Sequence, residues 1–508
     1  MMKSISELVS KRPWFGWALF LGTICVVFLL GLLAASIIER RTEAEFTFKP
    51  DINFGENEPR NEIWGQNFPR EYNSWFQTSD TSFRSKHGGS ATRDLLEENP
   101  RLVVLFAGYP FSKDFKQARG HFYAIDDIRA TLRTGAPKDG VPSPMPNTCW
   151  TCKSPDVVRV MKEKGVKEFY SGTWESLGAE IVNPIGCLDC HDPKTMNLTI
   201  TRPGLIEAME RQGIDVNSST HQGMRSLVCA QCHVEYYFDK KNYEGAAYLT
   251  FPWDSGFSAE SIEKYYDNIE FSDWTHALSR TPMIKAQHPD YELFMTGVHY
   301  KRGVACADCH MPYMNEGGQK FTNHQIQSPL NNISASCQVC HREETDSLIG
   351  DVYYRQDKIK EIRDQLEIQL VWVHVEAKAA WDNGASDAQM KPILNLIRQA
   401  QWRWDFIAAS HGSSFHSPLE VSRIISHGLD KAREARMQLQ RILLSLGVKE
   451  MIPYPEIETK IQAQEYIGLD MKALRAEKKV FIDLVIPKWQ EIAKERESKY
   501  KVTYFIRE

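Results

Sequence analysis

Ten of the eleven cysteines in this chain of 508 residues fall into five Cys-x-x-Cys pairs, and this arrangement constrains the fold more than any other feature. Histidine follows four of the pairs directly and lysine follows one, so the motifs read CWTCK, CLDCH, CAQCH, CADCH and CQVCH in chain order. The residues concerned are Cys149, Cys152, Lys153, Cys187, Cys190, His191, Cys229, Cys232, His233, Cys306, Cys309, His310, Cys337, Cys340 and His341. Such repetition predicts one kind of site that occurs several times.

Cys-x-x-Cys-His is the covalent attachment motif of c-type haem, in which both thiols bind the porphyrin and the histidine ligates the iron. Three other interpretations compete. Disulfides are expected in an exported chain but need no histidine after each pair. Structural zinc would require two motifs for each ion, and a thioredoxin-like redox pair would occur once. The repetition therefore favours a multihaem c-type cytochrome.

Lys153 sets the first motif apart from the other four. A protonated amine cannot donate an electron pair to iron, so Lys153 would have to be kept neutral by burial or by the metal. The alternative is that CWTCK is a disulfide or a vestigial site. We interpret it as the attachment site of a haem whose chemistry differs from that of the others.

The N-terminal region contains a segment without charged residues, from Trp14 to Ile38. A helix of this length spans a bilayer core of about 30 Å. We expect residues 1–45 to form an uncleaved membrane anchor, and a cleaved signal peptide is the alternative. Both interpretations predict a periplasmic protein, tethered to the cytoplasmic membrane in the first case and soluble in the second.

Composition and periodicity indicate the fold class. The net charge of −5, with 61 basic and 66 acidic residues, argues against a nucleic-acid partner. Residues 46–350 are rich in turns and lack clear periodicity, and residues 351–508 carry long amphipathic patterns. These patterns predict helices over Lys358–Trp381, Ser386–Gly412 and Pro418–Leu446, and a fourth from Leu469 that kinks at Pro487. We predict a mainly α fold with few β-strands, in which residues 46–350 form a loop-rich haem region.

Several longer segments resemble the pentahaem cytochrome c nitrite reductases, the ammonia-forming enzymes. The similarity extends from about Arg119 to Ile486 and includes CWTCKSPDVVR, CHVEYYF, FPWD, FSDWTHALSRTPMIKAQHPDYE, QWRWDFIAASHG and GLDMKALRAEK. In that family a lysine-ended motif at the catalytic haem precedes four histidine-ended motifs, which is the order seen here. The resemblance implies five covalently bound haems c and the multihaem cytochrome c fold. It also implies a homodimer, with residues 351–508 packing on the haem core and forming the dimer interface.

Five haem irons offer ten axial positions, of which Lys153 and the four motif histidines fill five. The position of His299 and His324 in motif-dense loops supports both as further ligands. The resemblance implies four distal ligands, which would serve the haems of Cys229/Cys232, Cys337/Cys340, Cys187/Cys190 and Cys306/Cys309 in turn: His121, His299, His324 and His416. His411 is a rival of His416 for the last of these positions.

Three further residues have the chemistry that reduction of a small anion requires. Arg133 supplies a permanent cation, His288 can donate protons, and Tyr236 follows a motif histidine by three residues. Taken alone, each is equally consistent with an ordinary surface or core residue. The resemblance matches all three, together with Lys153, to the family's catalytic haem pocket.

The resemblance also implies a calcium site beside this pocket. Glu235 and Gln287 offer hard side-chain oxygens, which suit Ca²⁺. Tyr236 and Lys285 would contribute backbone carbonyls. The ion would then join the loops that carry Tyr236 and His288.

The function implied is the six-electron reduction of nitrite to ammonium by an exported enzyme. The electron donor would be a membrane-bound quinol-oxidising multihaem cytochrome or a soluble cytochrome. One alternative is a multihaem reductase of hydroxylamine or sulfite, and another is a pure electron carrier in which every iron has two axial ligands. Lys153 and the cationic pocket argue against the carrier, which needs neither.

Overall fold

The computed structural model describes residues 10, 12–44, 51–138 and 140–504. Parts of the predicted N-terminal segment, residues 1–9, 11 and 45, lie outside this range. The chain divides into two compact units, one of residues 1–53 and 504–508 and the other of residues 54–503. The boundary predicted at residue 350 falls inside a helix of the second unit.

The first unit contains one long helix, α1 (Pro13–Ala44). Its segment Pro13–Ile37 has a mean hydropathy of 2.6, and none of it is buried in the protein. The length and composition are those of a membrane-spanning helix, and a signal sequence has the same properties.

Helices dominate the second unit, as predicted. Before residue 345 the α-helices are short, and their bounds are α2 (Asn61–Asn67), α3 (Pro69–Phe76), α4 (Leu95–Glu98), α5 (Arg101–Leu105), α6 (Ala124–Ala130), α7 (Asp156–Lys164), α8 (Val166–Phe169), α9 (Cys187–Cys190), α10 (Pro203–Arg211), α11 (His221–Ala230), α12 (Ala259–Asn268), α13 (Asp290–Thr296), α14 (Val298–Lys301), α15 (Cys306–His310) and α16 (Ile333–Ser336). Loops and single 3₁₀ turns connect them. Such short helices place many loop residues around whatever binds between them.

Long helices follow: α17 (Thr345–Asp382), α18 (Asp387–Ala408) and α20 (Pro418–Ser445), with the single turn α19 (Ser413–His416) before the last. Ser386 caps α18 in a capping box with Gln389, and α17 ends before Gly384, whose φ of +90° suits glycine. Both α17 and α18 pack along α20. The predicted end of one helix near residue 383 and the predicted start of another at Pro418 are therefore confirmed.

Other predicted boundaries were wrong. Helix α17 begins at Thr345, well before the predicted start at Lys358. Its first turns are exposed and carry no apolar period, so the sequence pattern did not reveal them. Helix α18 ends at Ala408, before Gly412. The kink predicted at Pro487 in the fourth helix, in contrast, is confirmed by an interruption at Val485, because Pro487 cannot continue the hydrogen-bond ladder. The elements there are α21 (Lys460–Tyr466), α22 (Met471–Leu484) and α23 (Ile486–Glu497).

The strands are few and short, as predicted. In the described part of the chain, four antiparallel pairs join β2 (Arg93–Asp94) with β3 (Lys116–Gln117), β4 (Tyr237–Asp239) with β5 (Tyr248–Thr250), β6 (Trp274–Thr275) with β7 (Pro282–Met283), and β8 (Tyr313–Glu316) with β9 (Gln319–Thr322). The remaining strands are β1 (Ile52–Phe54) and β10 (Val502–Tyr504). Hairpin β4–β5 begins four residues after His233 of the CAQCH motif.

A hydrophobic core links the two sequence regions within the second unit. It runs from Leu96 to Phe481 and includes the fully buried Trp402 of α18. Trp150, from the CWTCK motif, stacks on Trp174 with ring centroids 4.7 Å apart and donates a hydrogen bond to its carbonyl at 2.8 Å. Because a buried side chain of this size contributes at least about 1.5–3 kcal/mol, Trp150 anchors the first motif firmly in the core.

Candidate functional site

The five motifs lie on short helical turns rather than on the long helices. CLDC forms α9, CADCH forms α15, and CAQC begins with the last two residues of α11 and continues into the turn that follows. All eleven cysteines belong to the described residues, and none forms a disulfide. Each pair therefore presents two free thiols, as thioether attachment to haem requires.

The four motif histidines each face a second histidine. The ring centroids are 6.1 to 6.4 Å apart in the pairs His191–His324, His299–His341, His310–His416 and His121–His233. A metal between two imidazoles, with bonds of about 2 Å, separates the ring centres by roughly 6.3 Å. The pairs thus fit an iron held between their rings. They bring together the residues that the resemblance implied, in the same combinations.

Backbone carbonyls orient several of these rings. The Nδ1 atoms of His191, His310 and His324 each lie 2.8 Å from a carbonyl oxygen, of Met196, Gln327 and Thr322 respectively. An imidazole that donates from Nδ1 presents the lone pair of Nε2, which is the arrangement found around metal-bound histidines. The donor set is therefore suited to iron.

His416 is held in place by a glycine. A Cβ atom on Gly412 would clash with the imidazole ring of His416, so only glycine fits there. The Nδ1 atom of His416 is buried and has no hydrogen-bond partner within the described part of the chain. His310 thus faces the ring of His416 and not that of its rival His411 among the described ring contacts.

The residues expected at the catalytic pocket converge on the CWTCK motif. Burial raises the pKa of the Cys149 thiol to about 12, and the charges of Lys153 and Arg133 oppose that rise. Burial also lowers the pKa of His288 well below its usual value, and the Lys153 charge lowers it further. Lys153, Arg133 and His288 therefore lie around the same buried motif.

Arg133 is oriented by its neighbours. Its backbone N–H and its Nε both donate to Thr131 Oγ1, at 3.3 and 3.2 Å, and its guanidinium lies 4.3 Å from the ring centroid of Phe111. Burial lowers the pKa of Arg133, which Asp114 opposes. The guanidinium stays protonated because its intrinsic pKa is above 12. Its remaining donors are available to an anion.

Tyr236 and His288 form the other side of the pocket. Their ring centroids are 6.2 Å apart, at an interplanar angle of 35°. Burial raises the pKa of Tyr236 well above its usual value, and the nearby Cys152 and Cys149 thiols add to the rise. The phenol therefore keeps its proton and can donate a hydrogen bond.

The side chains expected at the calcium site also lie together. Glu235 is fully buried and accepts hydrogen bonds from Gln287 N at 2.6 Å and Tyr266 Oη at 2.8 Å. Gln287 Nε2 donates to the Lys285 carbonyl at 3.1 Å. Burial raises the pKa of Glu235 well above its usual value, and Glu292 adds to the rise. A bound cation would relieve this cost of a buried carboxylate, so the donors fit Ca²⁺.

Zinc fits the described residues less well. Within residues 10, 12–44, 51–138 and 140–504, no group of three or more His, Cys, Asp or Glu side chains is arranged to hold a metal ion. Structural zinc requires four such ligands. The paired histidines, with two ligands each, match a cofactor that supplies the remaining ligands itself.

Several contacts that support the site were not predicted from the sequence. Asp290 lies 3.6 Å from His233 Nδ1 and accepts a hydrogen bond from Ser410 at 2.5 Å. Lys285 pairs with Asp405 of α18. The sequence shows Asp290 two residues after His288, so its place near the site could have been predicted. No local signal links Lys285 to Asp405.

Histidines paired across a metal-sized gap, each pair beside two free cysteines, define the class of multihaem c-type cytochromes. The chain belongs to the cytochrome c552 family, whose profile matches residues 60–499. Membership implies covalently bound haem c.

Curated relatives cover almost the whole chain. The cytochrome c-552 of Bacteroides fragilis (strain ATCC 25285) is 54% identical over 484 residues, which cover 95% of this chain and 97% of the relative. That of Parabacteroides distasonis is 54% identical over 487 residues, with the same coverage. That of Aliarcobacter butzleri is 46% identical over 484 residues and covers 94% and 95% of the two chains.

The fold is shared with a solved structure of a related enzyme. The catalytic subunit of cytochrome c nitrite reductase from Desulfovibrio desulfuricans ATCC 27774 is 29% identical, with a TM-score of 0.72. The match covers 83% of this chain and 90% of that one, a protein described with two calcium sites. The predicted fold class, a mainly α multihaem cytochrome c fold with long C-terminal helices, is thereby confirmed, and the chain is a nitrite reductase-like cytochrome.

Proposed function

We propose that this chain is an exported pentahaem cytochrome c that reduces nitrite to ammonium at the haem of the CWTCK motif. One asymmetry supports the proposal. Four motif histidines each face a second histidine, whereas the fifth motif lies among Arg133, Tyr236 and His288. An electron carrier needs two axial ligands at every iron, and a reductase needs one iron with an open side.

The cofactor arrangement follows from the same asymmetry. The four facing histidine pairs would hold four haems, and Lys153 would ligate the iron of the fifth. When bound, the fifth haem supplies electrons and an iron position to which nitrite can coordinate.

Arg133 would bind the substrate. Nitrite is a small anion, and a fixed guanidinium in a buried pocket attracts it more strongly than one in water. The contacts of Arg133 with Thr131 and Phe111 hold its side chain before substrate arrives. Its free N–H groups would also donate hydrogen bonds to the oxygen atoms of partly reduced nitrogen species.

His288 and Tyr236 would handle protons. Reduction of nitrite to ammonium takes up eight protons and six electrons, and it forms two water molecules. Both side chains carry N–H or O–H donors into the pocket, where a hydrogen bond to a nitrogen or oxygen atom is stronger than in water. We assign His288 to hydrogen bonding and proton transfer, and Tyr236 to proton or radical transfer.

The calcium site would stabilise this pocket. Glu235 and Gln287, with the carbonyls of Tyr236 and Lys285, would hold the ion. The hydrogen bond from Gln287 N to Glu235 already links the two loops. An ion at this position would fix Tyr236 and His288 relative to each other.

Location and partners follow from the remaining features. Helix α1 would tether a periplasmic enzyme to the cytoplasmic membrane, unless it is removed as a signal peptide. Electrons would come from a membrane quinol-oxidising multihaem cytochrome or from a soluble cytochrome. The regions 1–45, 46–350 and 351–508 would serve as anchor, haem region and dimerisation region of a homodimer.

The proposal is tested with the purified, haem-loaded protein and a reduced dye. Nitrite should be consumed with the release of ammonium, and the Lys153→Ala variant should lose most turnover while four haems stay spectrally unchanged. Nitrite that remains stable would refute the enzyme. Faster turnover of hydroxylamine or sulfite than of nitrite would favour the alternative reductase, and full activity of Lys153→Ala would refute the assignment of the catalytic haem.

A further inference from the structure

Arg202 is a fully buried guanidinium that the proposed reaction does not use. It lies at the start of α10 and only 1% of its surface is exposed. Its Nε donates to the Thr151 carbonyl at 2.6 Å, and its Nη2 donates to the Ser154 carbonyl at 2.9 Å and to the Asp189 carboxylate. Arg202 therefore joins the first attachment motif to the second.

Gln231 extends the same network to the third motif. Its Oε1 accepts from Arg202 N at 3.2 Å and from Thr201 N at 3.0 Å. Its Nε2 donates to the Asp189 carbonyl at 2.8 Å. Three motifs thus meet around one arginine.

The three residues that link the motifs occupy the same position within their motifs. Thr151, Asp189 and Gln231 each directly precede the second cysteine of their motif, and all three are buried. The thiols of Cys152 and Cys232, the second cysteines of the first and third motifs, shift each other's pKa and are therefore neighbours. The network therefore lies where the attachment sites of different haems are nearest to one another.

We propose that Arg202 is a positioning residue for the haem cluster: it fixes three attachment motifs relative to one another, and its pairing with Asp189 balances the charge beside their haems. The inference rests on the proposed haem attachment and not on the substrate. Arg202 and Asp189 form an ion pair whose side chains are only 1% and 5% exposed. A buried pair in such surroundings costs free energy to desolvate, which an apolar pair would avoid.

Charge balance predicts shifts of opposite sign in the haem reduction potentials. Asp189→Asn leaves the Arg202 cation unbalanced and should raise the reduction potentials of the nearest haems. Arg202→Gln leaves the Asp189 anion unbalanced and should lower them. Each change should alter the one-electron equilibrium constant of the nearest haems by up to about tenfold, or about 59 mV. The double variant should return close to the wild-type potentials.

Spectropotentiometry of the full-length, haem-loaded variants tests the proposal, with Arg129→Gln as the matched control. Arg129 is also buried, but it donates to the carbonyls of Gly178 and Ile181, which lie outside the motifs. We expect the control to lower stability without shifting a potential. Shifts of the same sign in Asp189→Asn and Arg202→Gln, or no shift in proteins that retain all their haems, would overturn the inference.

Failure of one variant to mature leaves the proposal testable. If Arg202→Gln does not retain its haems, Arg202→Lys keeps the charge and should preserve the potentials, while Asp189→Asn should still raise them. An unshifted Asp189→Asn protein would then contradict the inference. A wild-type protein without covalent haem would instead refute the proposed function, so the two failures are distinguishable.

Discussion

Removal of the Asp405 charge should destabilise the loop that carries the calcium and catalytic residues. Lys285 Nζ lies 2.9 Å from Asp405 Oδ1, and each side chain is 2% exposed. Asp405 Oδ2 also accepts from Ala286 N at 2.9 Å. Asp405→Asn leaves the Lys285 ammonium buried without its counterion, which typically costs about 3–5 kcal/mol.

The expected loss of stability is measured by denaturant unfolding of the haem-loaded protein, followed by far-ultraviolet circular dichroism. Lys285→Met combined with Asp405→Asn removes both charges and should recover much of the loss, because no buried charge remains unpaired. Asp483→Asn is the control, since its pair with Lys479 lies 51% and 76% exposed. If Asp405→Asn proved no more harmful than the control, the ion pair would not hold this loop.

Three further predictions concern stability, calcium and iron ligation. Burial lowers the pKa of Lys478 to about 7, so the unfolded chain binds this proton more tightly than the folded one, and the free energy of unfolding should rise between pH 7 and about 10.5. Denaturant titrations of Lys478→Met should show a smaller rise with pH, and a rise equal to that of the wild type would contradict the prediction. Glu235→Gln should weaken calcium binding at least tenfold by isothermal titration and reduce turnover, whereas unchanged affinity would place the ion elsewhere. His416→Ala should convert one low-spin haem to high spin in paramagnetic resonance spectra, and an unchanged spectrum would point to His411.

Local sequence signals account for much of the fold. Helix α20 begins at Pro418, which suits the first helical turn, and α17 ends at Asn383–Gly384 as a C-cap predicts. The start of α17 could not be predicted, because an exposed helix end has no apolar period to mark it. The separate helix Lys460–Tyr466 was missed for a related reason: seven residues are too few to show periodicity.

The site divides in the same way. Lys153 and the motif histidines are adjacent to their cysteines, so spacing alone identifies them. The distal ligands His121 and His416 required the family resemblance, because nothing local indicates that His121 faces His233. Contacts between distant segments, such as that of Lys285 with Asp405, depend on the folded chain and leave no pattern in one sequence.

The stoichiometry of nitrite reduction tests the central claim most directly. Haem-loaded protein is given ¹⁵N-nitrite and a reduced dye, and both labelled ammonium and oxidised dye are measured. The pocket of Arg133, Tyr236 and His288 beside Lys153 predicts one labelled ammonium and six electrons for each nitrite consumed. Consumption of one electron per nitrite with release of nitric oxide, or no consumption at all, would contradict the account.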